Sequence, residues 1–134
     1  MRKYLPMIVL YLISAFLVMV FLKAGWPKFS DSSGWARAFA RWGFPVWFRV
    51  LIGAVEVLGA LLLLVPQTAI YAAGALAVIM LGAMGTHVAH GDPTAVYHEA
   101  FPLALLGVVM YLHWRRKRIA RPLPGEKFNQ AVAK

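Results

Sequence analysis

Residues 46–65, VWFRVLIGAVEVLGALLLLV, form an apolar run broken by two ionisable groups, Arg49 one turn from its start and Glu56 near its centre. A carboxylate among hydrocarbon either locks helix packing as a hydrogen-bonding post or takes part in proton or ligand traffic. Ionisable groups inside membrane segments are functional hypotheses by default. Glu56 is therefore the first candidate, for proton exchange. At 3.6 residues per turn, Arg49, Gly53, Glu56, Ala60 and Leu63 share a face. Small residues on a face let another helix approach closely, so that face should point inward. Glu56 lies ten residues beyond Val46, about 15 Å along a helix and near the middle of a span. Ser14 is the polar residue of the preceding apolar run at matching depth and the expected hydrogen-bond partner. No cation shares that depth unless Lys28 folds inward with its loop, and without one desolvation favours the neutral acid.

A second group of reactive side chains gathers nearer one boundary: Lys23, Lys28, Arg49, His87, His90, His98 and Glu99. Charges that close to hydrocarbon are costly unless they meet each other or water. Lys28, Arg49, His87 and His98 are thus expected to share one ligand-binding pocket beneath residues 35–42. The His87–His90 pair with a third histidine has the makings of a metal or haem site. Interfacial histidines are more often simply solvated, and no metal is expected.

The elements that position these groups follow from composition. Apolar residues make up 61% of the 134 and charged ones 14%, against roughly 45–50% and about 25% in soluble domains. A soluble chain of this length lacks the interior to hide so much apolar surface. Four apolar runs approach the roughly 20 residues needed to cross about 30 Å of hydrocarbon. They predict helices near 4–24, 46–66, 68–90 and 93–116, the last capped by Asp92 and kinked at Pro102. The first run is read as a retained span rather than a cleaved leader, since Lys23-Ala24-Gly25-Trp26-Pro27 follows it and no small-residue cleavage site does. Ser33 caps a short amphipathic helix near 34–42, ended by Gly43 and Pro45, lying in the interface or folded over the bundle as a lid. The expected fold is all-α: an integral membrane four-helix bundle with a short interfacial helix between helices 1 and 2. Residues 1–118 form a single four-span domain and 119–134 a basic cytoplasmic tail.

The net charge is +9; Arg2 and Lys3 before the first span and the run of Arg115, Arg116, Lys117, Arg118 and Arg121 after the fourth outvote Lys28, Arg37 and Arg41 of the first loop, so both termini are expected in the cytoplasm. That run is expected to anchor at lipid headgroups, not to bind nucleic acid. Two aromatic belts support the topology: Trp26, Trp35, Trp42, Trp47 and Tyr97 at one boundary, Tyr4, Tyr71, Tyr111 and Trp114 at the other. With no cysteine, neither disulfides nor a Cys-x-x-Cys electron relay exist within the chain.

The stretches "GWPKF", "GFP", "GAVEVLGALLLLVP" and "MLGAMGTH" resemble the DoxX family of small bacterial membrane proteins, over roughly residues 5–112. The most specific pieces are Gly25 with Lys28, and Glu56 with Gly59; the Met80–Ala83–His87 spacing adds to them. The resemblance implies a four-helix protein of the bacterial cytoplasmic (inner) membrane, with Gly25, Lys28, Glu56 and His87 as its motif residues. It also implies a link to quinone-dependent oxidation of sulfur compounds and to membrane complexes handling oxidative stress. Two classes of function stay open. One is a membrane subunit of a quinone-linked oxidoreductase, with a bound quinone or lipid and no intrinsic cofactor. The other is a non-enzymatic scaffold, accessory subunit or assembly factor, working as a homo-oligomer or within a larger membrane complex.

Overall fold

The computed structural model describes residues 4–120 and residue 132; Arg2, Lys3 and nearly all of the expected tail lie outside the described residues. Among residues 4–120, five α-helices carry the fold: α1 (Leu5–Gly25), α2 (Gly34–Arg41), α3 (Val46–Leu62), α4 (Ala69–Ala89) and α5 (Ala95–Ile119). A single 3-10 turn, Trp26–Phe29, extends α1, and no strand occurs among the described residues.

Helix ends follow local chemistry. Pro6 sits in the first turn of α1, where a missing N–H leaves nothing unpaired. Ser33 accepts from the Ala36 N–H at 3.2 Å and starts α2. Two helices stop in the same way. At the end of α2, Gly43 turns to φ +80° while Phe44 N–H reaches the Phe39 carbonyl and Gly43 N–H the Ala40 carbonyl. At the end of α4, Gly91 takes φ +76° and Asp92 N–H bonds the His87 carbonyl. Only a residue without Cβ adopts that conformation readily, and the paired bonds satisfy the last carbonyls. The link from α3 to α4 is tied by Thr68, whose hydroxyl donates to the Leu62 and Val65 carbonyls.

α1 packs on α3 and α5, α3 on α4, and α4 most extensively on α5. The shared interior holds Leu10, Leu17, Phe21, Leu76, Met80 and Leu106. Gly59 of α3 meets Leu76 so closely that an added Cβ would lie 2.9 Å from it. Large apolar side chains point outward all round, among them Leu12, Met19, Leu58, Val78 and Phe101. Soluble monomers do not expose so continuous an apolar surface. Three helical stretches, Leu5–Phe29, Ala69–Ala89 and Ala95–Ile119, are long and apolar enough to cross a bilayer. This is a membrane protein.

The structure departs from expectation at three places. α3 has 17 residues, about 26 Å of rise, and stops four residues early because Pro66 cannot continue a helix. α5 begins at Ala95; Asp92 does not cap it but accepts the Thr94 hydroxyl at 2.8 Å. Trp35 and Trp42, expected in the aromatic belt, are half-buried, because they pack on Phe39 and His87; of the two placements expected for α2, it takes the one folded over the bundle. The other belt residues, Trp26, Trp47 and Tyr97 at one end and Tyr4, Tyr71 and Tyr111 at the other, are exposed. Arg118 covers Trp114 and Lys117 approaches Tyr71.

Candidate functional site

The site begins with two glycines. A Cβ on Gly25 would lie 3.0 Å from the Gly53 carbonyl oxygen and 3.0 Å from Glu56 Cβ; one on Gly53 would lie 2.9 Å from the Gly25 oxygen and from Lys28 Cβ. Backbone therefore rests on backbone where α1 ends against α3, and the 3-10 turn is pressed into the fold. Lys28, one turn past Gly25, is carried inside. Its ammonium donates to Glu56 Oε2 at 2.7 Å and to the Ala24 carbonyl at 2.9 Å, and lies 3.9 Å from the centre of the Trp35 ring. Of the three donors of an ammonium, two bond oxygens, and the charge rests against one aromatic face. Lys28 is 3% exposed and Glu56 2%.

This corrects the expectation for Glu56. Its partner is the cation Lys28, and Ser14 makes no bond to it. Matching depth from the middle of each run failed because the glycine contact sets the register: Glu56 lies level with the last turn of α1, not its midpoint. Ser14 is buried two to three turns away, with His113 and Arg116 beside a recess of about 10 Å³.

Above Glu56 opens a cavity of about 440 Å³. Lys28, Glu56, His87, His98 and Glu99 line it, within walls that are otherwise almost wholly apolar. Its roof is α2. Phe39, 7% exposed, is the hub, with Trp35, Trp42, Phe44 and Phe48 packed around it at ring distances of 5.5–6.4 Å. The glycine-terminated ends of α2 and α4 face each other there, so that Trp42 meets His87 edge-on at 5.0 Å. His87 Nδ1 is buried without a hydrogen-bond partner, 4.0 Å from Asp92. On the far wall Pro102 removes the N–H that would otherwise engage the His98 carbonyl. The cavity reaches exposed surface at Val78 and Gly82 of α4.

Of the residues singled out in the sequence, Lys28, Glu56, His87 and His98 come together here. Arg49 does not line the cavity. It is buried on the loop side of α3, where it donates to the Ser30 carbonyl at 3.1 Å and pairs with Asp31. Gly59 packs the opposite end of α3 and touches no part of the site. Trp35 as a cation's aromatic face and Glu99 as a second wall carboxylate were not marked as site residues. The signal for Trp35 was its place seven residues beyond Lys28, on the one face of α2 that repeats aromatics. No three histidine or acidic side chains among the described residues converge as a metal-ligand set.

In volume the cavity falls within the ~300–1,000 Å³ of small-molecule sites, and like them it joins apolar walls to a few convergent polar groups. A family model described as "DoxX-like family" matches residues 12–112, a stretch that contains every residue lining the cavity. No curated protein and no solved structure matches the chain.

Proposed function

The chain belongs to the DoxX-like family, and on that premise we propose that it binds a lipid-soluble ring compound, a quinone, in the cavity above Glu56, as a membrane subunit of quinone-linked oxidoreduction. The cavity itself carries the reading: about 440 Å³ of aromatic and aliphatic wall ending on Lys28, Glu56, His87, His98 and Glu99. A planar ring fits between rings, and its polar edge needs a few fixed partners. His87 and His98 offer ring nitrogens to a carbonyl. Glu56 holds or releases a proton at the oxygen that Lys28 leaves free, and Lys28 steadies it. A bound quinone would supply the two-electron chemistry; the chain's own residues bind, orient and exchange protons.

In this proposal α3 is the fourth span. Both termini lie in the cytoplasm, the cavity lies toward the outer face of a bacterial inner membrane, and the protein works as a homo-oligomer or in a larger membrane complex. The orientation is tested by cysteines introduced at positions 32 and 127, which an impermeant reagent should label from opposite sides of the membrane. Labelling of both from one side overturns it.

A second reading rests on the Gly25–Gly53 contact and the buried Lys28–Glu56 pair, which equally serve a scaffold whose loop must be held on α3. Extraction of lipids from the purified protein separates the two. A quinone carried by the wild type and lost from Gly82→Phe supports the binding reading. Gly82 lines the cavity mouth, and a Cβ there meets nothing within 4 Å, so a side chain can start from that position without a backbone clash; an unchanged Tm checks that the helices are undisturbed. A stoichiometric protein partner with no extractable quinone supports the scaffold.

A further inference from the structure

The polar groups of the cavity are unevenly matched. Lys28 donates to the Ala24 carbonyl and to Glu56, and its ammonium lies against the Trp35 ring. The acceptors are left over. Glu56, 2% exposed, uses Oε2 for Lys28, while its Oε1 accepts nothing among the described residues. Glu99 makes no hydrogen bond or ion pair among them either, and Pro102 leaves the His98 carbonyl without its helical donor. These acceptors belong to residues on the cavity wall. The free Glu56 and Glu99 oxygens are not sealed in protein but open to an apolar-walled cavity, where an acceptor gains most from a partner that donates, so the site favours an occupant that brings donors.

We propose that the cavity selects the hydrogen-bond-donating head of a membrane-dissolved amphiphile, a phenol-type hydroxyl, over an acceptor-only head of the same shape. This rests on the reading of the cavity as a ligand site. For a quinone couple it means preference for the reduced form, whose two hydroxyls meet Glu56 and a second acceptor, where the oxidised ring has only carbonyls to offer. His87 and His98 serve either form by choice of tautomer, so the selectivity lies with the carboxylates.

The test uses the purified full chain in detergent with two probes, 4-nonylphenol and its methyl ether, which differ by one donor. Binding is read by calorimetric titration, with partition into protein-free micelles subtracted. The phenol should bind about tenfold tighter or more, the usual effect of a hydrogen bond to a charged acceptor. Glu56→Gln should reduce that ratio toward unity. Glu99→Gln, at a half-buried position that folding tolerates more easily, should lower it as well. Equal binding of phenol and ether to the wild type overturns this inference and leaves the cavity reading standing. Absence of binding by both overturns the cavity reading and this inference with it. A ratio unchanged in both Gln variants overturns the assignment to the carboxylates.

Discussion

Lys28 and Arg49 are each 3% exposed, and both belong to the same face of α3: Lys28 packs on Gly53 and Glu56, while Arg49 lies nearer the start of the helix. The charge that compensates Lys28, Glu56, is itself inside, and the half-buried Ala24 carbonyl and Trp35 ring complete its surroundings. Arg49 instead reaches outward, to the Ser30 carbonyl and to Asp31, whose side chain is 88% exposed. Its Nε has no partner. Two cations, equally hidden, thus differ in where the compensating charge lives. A pair buried at both ends leaves a bare charge in a low-dielectric interior when either member is lost. A pair with one end in water can be replaced there by solvent. The first arrangement is rigid and borders a cavity; the second ties down a loop.

The largest effect should come from breaking the inner pair. Glu56→Leu strands the Lys28 ammonium and should cost about 3–5 kcal/mol, read as a large fall in Tm or loss of monodisperse protein in detergent. The double variant Lys28→Met, Glu56→Leu should recover most of that loss, since removing both charges removes the stranded one. A single variant as stable as the wild type would show that Lys28 has another compensating group.

Next comes the contact that puts Lys28 in place. Gly53→Ala inserts a Cβ 2.9 Å from the Gly25 oxygen and from Lys28 Cβ, and should destabilise by about 1–3 kcal/mol as overpacking does. Gly82→Ala, also on a helix but facing open space, should be neutral or stabilising by about 0.5–1 kcal/mol. Equal losses from the two would mean that the close approach of α1 to α3 is relaxed in solution.

The outer pair should matter less. Asp31→Asn is expected to cost under about 1 kcal/mol, and a double-mutant cycle on Arg49 and Asp31 should return a smaller coupling than one on Lys28 and Glu56. Inverted couplings would reverse the ranking of the two sites.

Asp92, exposed in the link before α5, marks the bottom of the scale. The Thr94 hydroxyl, aided by the Ala95 N–H and nearby His87 and Arg41, holds its carboxyl below the usual range. A carboxyl whose pKa folding lowers stabilises at neutral pH, and that stability is lost as pH falls through the lowered value. Asp92→Asn should therefore lower Tm slightly at neutral pH and leave it unchanged in acid.

Much of this arrangement is legible in the sequence. Apolar period and length placed α1, α4 and α5 within one to three residues, because those patterns report burial against hydrocarbon. Ser33, Gly43 and Pro45 bounded α2, because caps are local chemistry. Gly25 with Lys28, and Glu56 with Gly59, stood out as motif pieces, and the reason is steric: Gly25 admits α3 and Gly59 admits Leu76. Lys28 was named as the cation that would reach Glu56 only if its loop folded in. Ser14 was misplaced by assuming that spans align at their midpoints. Arg49 was grouped with the cavity because it shares a helix face with Glu56, yet two turns along the helix it meets the loop of Ser30 and Asp31.

What the sequence determined by itself was therefore what depends on neighbours in the chain: helical periodicity, capping, the apolar character that calls for a membrane, and the rarity of the few charges within it. Register, pairing and the cavity were decided only in three dimensions. They depend on how far one helix slides along another, and that distance was set by two glycines 28 residues apart in sequence touching backbone to backbone. Shifting that contact by one turn would move Lys28 by about 5.4 Å, enough to separate it from Glu56. The same local pattern is compatible with either register; the close packing of Gly25 on Gly53 selects one.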